Sequence, residues 1–243
     1  LTISWMIFPV FGNGEPTTSE QFNFFDSWGM ADGRFVHPGK VAVDSYGNIY
    51  IIDSGNARIQ KFDSEGRFLS KWGTLGTDDG QFSAPQYIAI DQWDNIFVVD
   101  LGNSQIKKFS PSGTFLTKWG SNGTEDGQFY HPTAIAVDDS GDVFIADTFN
   151  NRIQKFSSSG TFITKWGTQG NSEGQFLLPT GITIDPQGYI YVADPSNFCI
   201  QKFNSSGSFI TKWGSKGTTN SQFLRPYDVA VDISGNIIVV DQG

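Results

Sequence analysis

The chain has one cysteine, Cys199, among 243 residues, so no disulfide can close within it and thiol-rich metal sites are excluded. Histidine is almost as scarce. His37 and His131 are the only two, whereas a catalytic zinc usually takes three protein ligands and a water. Charged side chains make up 17% of residues, and basic ones are the fewer, 16 against 25 acidic, for a net charge of −9. Nucleic-acid binders draw most of their affinity from a basic field, so this balance disfavours nucleic acid as a partner. No segment has a helical period. The apolar opening, Leu1 to Phe11, falls well short of the ~20 residues a helix needs to span a bilayer. Glycine-rich runs such as Gly73-Thr74-Leu75-Gly76 lack the lysine and the following helix of a phosphate-binding loop.

What is abundant points to fold. There are 28 Gly, 22 Phe, 7 Trp and 7 Tyr, with 38% hydrophobic residues. That composition excludes general disorder and favours strands joined by short turns. A chain of this length removes roughly 70–75% of its unfolded surface from water, enough for a sizeable core. Residues 1–14 form an apolar stretch running into the polar Gly12-Asn13-Gly14-Glu15. They look like the back half of a secretory signal, which predicts a secreted or cell-surface protein.

An internal repeat organises the rest. Gly33, Gly80, Gly127, Gly174 and Ser221 fall 47 residues apart, followed in phase by Phe35, Phe82, Phe129, Phe176 and Phe223 and by Pro38, Pro85, Pro132, Pro179 and Pro226. Full repeats therefore run 33–79, 80–126, 127–173 and 174–220, with a partial one at 221–243. Each carries four strand signals, exemplified by Val41–Asp44, Ile49–Asp53, Arg58–Phe62 and Phe68–Gly73, separated by hairpin residues such as Ser45-Tyr46-Gly47-Asn48. One antiparallel four-stranded sheet per repeat cannot bury both faces alone, and stacking sheets around an axis solves this as a β-propeller. The early strands are continuously apolar, as strands covered on both faces are, while the later ones admit Gln, Lys, Ser and Thr. This gradient predicts the first strand at a central channel and the Lys-Trp strand at the rim. Residues 22–29 resemble a copy of the fourth strand that could close the ring, making 15–243 one propeller. The fifth repeat stops at Val239-Val240-Asp241-Gln242-Gly243, where earlier copies continue into a third strand, so a truncated propeller is expected.

Gln128-Phe129-Tyr130-His131-Pro132, Ile135-Ala136-Val137-Asp138, Ala146-Asp147 and Asn150-Asn151-Arg152-Ile153-Gln154-Lys155-Phe156 closely resemble the NHL repeat, and the likeness recurs through 33–243. The resemblance implies an all-β propeller, usually of six four-stranded antiparallel blades, serving most often as a binding surface. Some relatives are lyases or hydrolases with a metal in the channel. Others join the propeller to RING and B-box domains and bind RNA or protein, but the zinc-spaced cysteines of such domains are missing here.

Ten aspartates occupy two repeat positions: Asp44, Asp91, Asp138, Asp185 and Asp232 end the first strand, and Asp53, Asp100, Asp147, Asp194 and Asp241 end the second. A group needed in every blade serves the blade. Asp at a strand end can accept bonds from turn amides two or three residues on, which makes these structural turn residues rather than a Ca²⁺-binding ring. Recurrent Lys71, Lys118, Lys165 and Lys212 read as edge protection, and the adjacent tryptophans as packing between blades. Cys199, at an arginine position of the repeat, reads as a packing residue. His37 and His131, each just before the repeat proline, are the only weak metal candidates.

Specific function is expected where repeats differ. The position before the proline runs His37, Ala84, His131, Leu178, Arg225, and the second after it Lys40, Tyr87, Ala134, Gly181, Asp228. The loop after the second strand varies at Gly55, Gly102, Phe149, Ser196 and at Ala57, Ser104, Asn151, Phe198. Varying side chains on a constant frame are how a binding face gains specificity. The candidate ligand-binding patch is His37, Lys40, Tyr87, His131, Phe149, Phe198, Arg225 and Tyr227, at the channel entrance of a monomeric propeller. The expected partner is a protein, peptide or glycan, with no catalytic residues and no cofactor. The alternatives are a lyase or hydrolase with Ca²⁺ or Zn²⁺ in the channel, and an RNA-binding propeller.

Overall fold

The computed structural model describes residues 34–232 and 234–243. The apolar segment 1–14 and the expected closing strand 22–29 lie outside the described residues. The chain is all-β, in repeated antiparallel sheets. Blade one comprises β1 (Pro38–Val43), β2 (Ile49–Asp53), β3 (Arg58–Phe62) and β4 (Phe68–Trp72). Blade two comprises β5 (Pro85–Ile90), β6 (Ile96–Asp100), β7 (Gln105–Phe109) and β8 (Phe115–Trp119). Blade three runs β9 (Pro132–Val137), β10 (Val143–Asp147), β11 (Arg152–Phe156) and β12 (Phe162–Trp166). Blade four runs β13 (Gly181–Ile184), β14 (Ile190–Asp194), β15 (Cys199–Phe203) and β16 (Phe209–Trp213). In the fifth sheet the described strands are β17 (Pro226–Val231) and β18 (Ile237–Asp241). Among the described residues no helix is long and apolar enough to cross a membrane.

First strands stand side by side around the axis, β1 against β5, β5 against β9, β9 against β13 and β13 against β17. Two-sided cover, however, belongs to the second strands: β6, β10 and β14 are buried along their whole length. The first strands range from β9, buried from Pro132 to Ala136, to β1, where Val43 is 56% exposed. A first strand has a neighbouring strand in its own blade on one edge only, so apolar composition does not guarantee full burial in every blade. Each fully buried Ile or Val contributes about 1.5–3 kcal/mol, and the second strands hold most of them.

The first aspartate set folds the hairpin between first and second strands. The Asp44 carboxylate accepts from the Tyr46 amide at 3.0 Å and the Asn48 amide at 2.8 Å. Asp91, Asp138, Asp185 and Asp232 repeat both bonds in their own turns. The second set does more than the expected turn role, in which Asp53, Asp100, Asp147 and Asp194 accept from the turn side chains of Asn56, Asn103, Asn150 and Asn197 rather than from turn amides. Each carboxylate turns back to the loop that leads into its own blade: Asp53 accepts from the Val36 amide at 2.7 Å, Asp100 from Ser83 and Ala84, Asp147 from Tyr130, Asp194 from Leu177, and Asp241 from Leu224 and Arg225. The physical reason is the three-residue 3-10 turn that follows each of the first four. It closes through its own backbone, as with Ala57 N donating to Ser54 O, and needs no carboxylate to cap its amides.

Blades join through aromatic rings. Trp72 packs on Phe109 of the next blade at 6.1 Å, Trp119 on Phe156 at 5.9 Å and Trp166 on Phe203 at 5.9 Å. Each indole also lies over a glycine of that next blade. A Cβ at Gly160 would stand 2.6 Å from the Trp119 ring, and its backbone, at φ +87°, suits glycine.

Candidate functional site

The site lies on the face where first strands begin. Proline opens β1, β5, β9 and β17, where its missing N–H is harmless. A bulge then shifts the register between Pro38 and Val41, between Pro85 and Tyr87 and between Pro226 and Asp228. These irregularities present Lys40, Tyr87, Tyr227 and Asp228 at the channel mouth. Lys40 is ion-paired with Asp228, and its ammonium lies 5.8 Å from the Tyr87 ring centroid. The Tyr87 and Tyr227 hydroxyls are 3.3 Å apart. Burial, and then the Tyr227 hydroxyl, hold the Tyr87 phenol well above the usual tyrosine range, while burial lowers the Lys40 ammonium. Together Lys40, Tyr87, Tyr227 and Asp228 line one shallow cleft.

Tyr227 also borders a second cleft of about 190 Å³, set over blade four. His131 and Phe149 of blade three form one wall, with the imidazole stacked on the phenyl ring at 4.4 Å and 9°. Arg225 and Tyr227 form the opposite wall, the guanidinium carbon lying 5.7 Å from the Tyr227 ring centroid. Leu178, Thr180, Pro195 and Ser196 supply the floor. Six of the eight candidate patch residues, Lys40, Tyr87, His131, Phe149, Arg225 and Tyr227, thus meet in two adjoining clefts.

His37 and Phe198 do not join them. His37 is exposed at φ +48° and lines neither cleft. Phe198 is the left-handed residue closing its 3-10 turn, and its ring lies under the Lys216 ammonium at 5.2 Å, in the segment linking blades four and five. Two places earlier in such a turn the chain points the other way, which is why Phe149 reaches the cleft and Phe198 does not. Sequence reasoning passed over Thr133, Thr148, Thr180 and Leu178. For Thr133 and Thr180 the signal was the position just after the repeat proline, which runs Gly39, Gln86, Thr133, Thr180, Tyr227, and for Leu178 it was the varying position before that proline. The Thr148 hydroxyl donates to Pro179 O at 2.7 Å and the Thr180 hydroxyl to Tyr227 O at 2.6 Å, while Thr133 Oγ1 is 2.5 Å from Thr148 Oγ1. These hydroxyls hold the floor together.

Among the described residues, no three His, Cys, Asp or Glu side chains are grouped to hold a metal ion. With its imidazole stacked on Phe149, His131 has no converging partner, so the described residues do not fit a channel metal. Burial pushes the Cys199 thiol up to about 12, so at neutral pH it is no nucleophile. The opposite end of the channel holds a cleft of about 490 Å³ lined in part by Asp138, Asp139, Asp185 and Asp232. This cleft is lined by four carboxylates and no Lys or Arg, whereas the blade-four cleft is lined by Arg225 and no carboxylate.

Comparison with known proteins places this geometry in context. The NHL repeat matches residues 35–62, 129–156 and 176–203. A stretch of 52 residues is 42% identical to Protein brain tumor of Drosophila melanogaster, covering 21% of this chain and 5% of that protein. Another comparison aligns 44 residues at 48% identity with B-box type zinc finger protein ncl-1 of Caenorhabditis elegans, covering 18% and 5%. The matches thus span about one-twentieth of these relatives. Among solved structures, a streptogramin B lyase superposes with a TM-score of 0.64 at 19% identity over 83% of this chain and 61% of that one. A virginiamycin B lyase from Staphylococcus aureus gives 0.63 at 18%, over 83% and 62%. A gluconolactonase from Xanthomonas campestris gives 0.60 at 14%, over 84% and 69%. At such identities the likeness is one of fold.

Proposed function

Because this chain belongs to the NHL-repeat β-propellers, we propose that it is a non-catalytic binding scaffold whose ligand sits in the clefts at the first-strand face. One observation carries this reading. Residues that recur in every blade are used up in holding the blades, whereas the non-recurring His131, Phe149, Arg225 and Tyr227 converge on one cleft. A face assembled from side chains that the scaffold does not need is where selectivity resides.

The test is a binding screen against peptide and glycan arrays with the whole chain. Phe149→Ala and Arg225→Ala should each reduce capture without altering the circular dichroism spectrum. Tyr46→Ala, at the opposite end of its blade, should leave capture unchanged. A second reading, a metal-dependent lyase or hydrolase, draws on the lyase and gluconolactonase structures of the same fold. Exhaustive dialysis against EDTA separates the two: the scaffold keeps its melting temperature and its binding, and a metal-dependent enzyme loses both until Ca²⁺ or Zn²⁺ is returned.

A further inference from the structure

The geometry points to an acidic peptide segment as the ligand of the blade-four cleft, one that places an apolar side chain beside an aspartate or glutamate. This rests on the binding-scaffold reading above and narrows it to one ligand class. The first observation is the division of the cleft into unlike walls. Phe149, on the blade-three wall, is 43% exposed and Leu178, on the floor, 38% exposed, and both offer apolar surface to the cleft. Across from them stands Arg225, which among the described residues has no carboxylate within ion-pair distance. By contrast Lys40, in the adjoining cleft, is already neutralised by Asp228.

The second observation concerns which polar groups remain free. Carbohydrate recognition needs hydroxyl, amide or carboxylate groups pointing at the ligand beside an aromatic face. Here the Thr148 and Thr180 hydroxyls are turned onto the backbone carbonyls of Pro179 and Tyr227, and Asp228 is held by Lys40. What remains is apolar area, the Arg225 guanidinium, the His131 imidazole and the Ser196 hydroxyl, with no carboxylate or carboxamide side chain in the lining, which suits a hydrophobic side chain with an adjacent carboxylate. RNA would demand several cations along a track, and the cleft has one. A small free anion would leave the apolar wall unused.

Backbone conformation places two of these side chains. The lead-in loops pass through left-handed conformation at His131, φ +59°, and at Leu178, φ +64°. Glycine would relax both positions. Instead each carries a side chain that lines the cleft, and so does Arg225 at the matching place in the fifth sheet.

Panning random 12-residue peptides displayed on phage against the whole 243-residue chain tests the inference. The expected winners pair Leu, Ile, Phe or Trp with Asp or Glu within about three residues. A synthetic winner should lose about tenfold in affinity on Arg225→Gln and about as much when its own acid is replaced by the amide, with the two changes non-additive. Arg225→Glu should shift the preference toward basic peptides. Winners without an acid, or winners indifferent to both Arg225 variants yet lost on Phe149→Ala, would overturn the acidic class while leaving the scaffold reading intact. If no peptide depends on Phe149 or Arg225, both readings fall. Binding of a labelled twelve-nucleotide oligouridine with Arg225 dependence, in place of peptide, would also overturn the acidic-peptide assignment.

Discussion

Four buried second-strand aspartates do the same mechanical work with different electrostatics. Asp53 has Arg58 at 2.7 Å, Asp100 has Lys107 at 3.2 Å and Asp147 has Arg152 at 2.7 Å. Asp194 has Cys199 in the arginine's place. Burial pushes its carboxyl up to about 6, against the opposing bonds from Asn197 and the Leu177 amide. The folded state then holds a proton that the unfolded chain, near the ordinary 3.8, has released. This contribution to stability is full below pH 3.8 and is lost as pH rises to about 6, on the order of 3 kcal/mol at most. Cys199→Arg should supply the missing cation. Urea midpoints of the variant should fall less than those of the parent between pH 4.5 and 7.5, and equal slopes would refute this account. In blade two the cation has instead moved along the strand, with Gln105 at the arginine place and Lys107 at the glutamine place. Lys107→Gln alone leaves Asp100 buried without a charge partner, at a cost of about 3 kcal/mol. Adding Gln105→Arg should recover most of that loss in the same denaturation assay.

At the scale of the element, the seam between blades decides stability. Each indole of the fourth strand covers a turn glycine of the next blade, so a methyl group there meets the ring. Gly160→Ala combines a left-handed backbone unsuited to alanine with overlap on Trp119, together about 2–4 kcal/mol. Scanning calorimetry should show the midpoint lowered by roughly 5–10 °C; Ser159→Ala, one residue away on the exposed turn, should shift it little. The seam was legible in the sequence because its Trp and Gly recur every 47 residues. The strands were legible for the same reason, their alternation being repeated in phase. The second aspartate set was legible only in part: its bonds to the turn Asn side chain three residues on are local, but its backbone partners lie 16 or 17 residues upstream, a distance that local turn rules do not reach. Phe198 was misjudged for a related reason. Variation marks a turn as free to change but does not tell which way each residue of a 3-10 turn points. Phe149 and Phe198 carry the same chemistry and end on different surfaces.

For the molecule as a whole, net charge and site charge oppose one another. The chain carries −9 overall, with carboxylates Asp138, Asp139, Asp185 and Asp232 about the channel end remote from the proposed cleft. An anionic ligand therefore approaches against a long-range repulsion and is held, once seated, by Arg225 and the apolar wall. Salt acts on these two parts differently. The Debye length shrinks from about 20 Å at 20 mM to under 8 Å at 300 mM, which removes the distant repulsion while affecting the short contact to Arg225 less. Stopped-flow association of an acidic peptide should thus speed up several-fold across that range, while dissociation changes less. A basic nucleic-acid-binding face behaves in the opposite way, its association slowing steeply with salt. An association rate that fell with salt would mean that the local field of the first-strand face outweighs the global charge, and the charge argument would fail at this scale. Arg225→Gln sharpens the comparison: its peptide complex should dissociate faster at every salt concentration, with the salt dependence of association preserved.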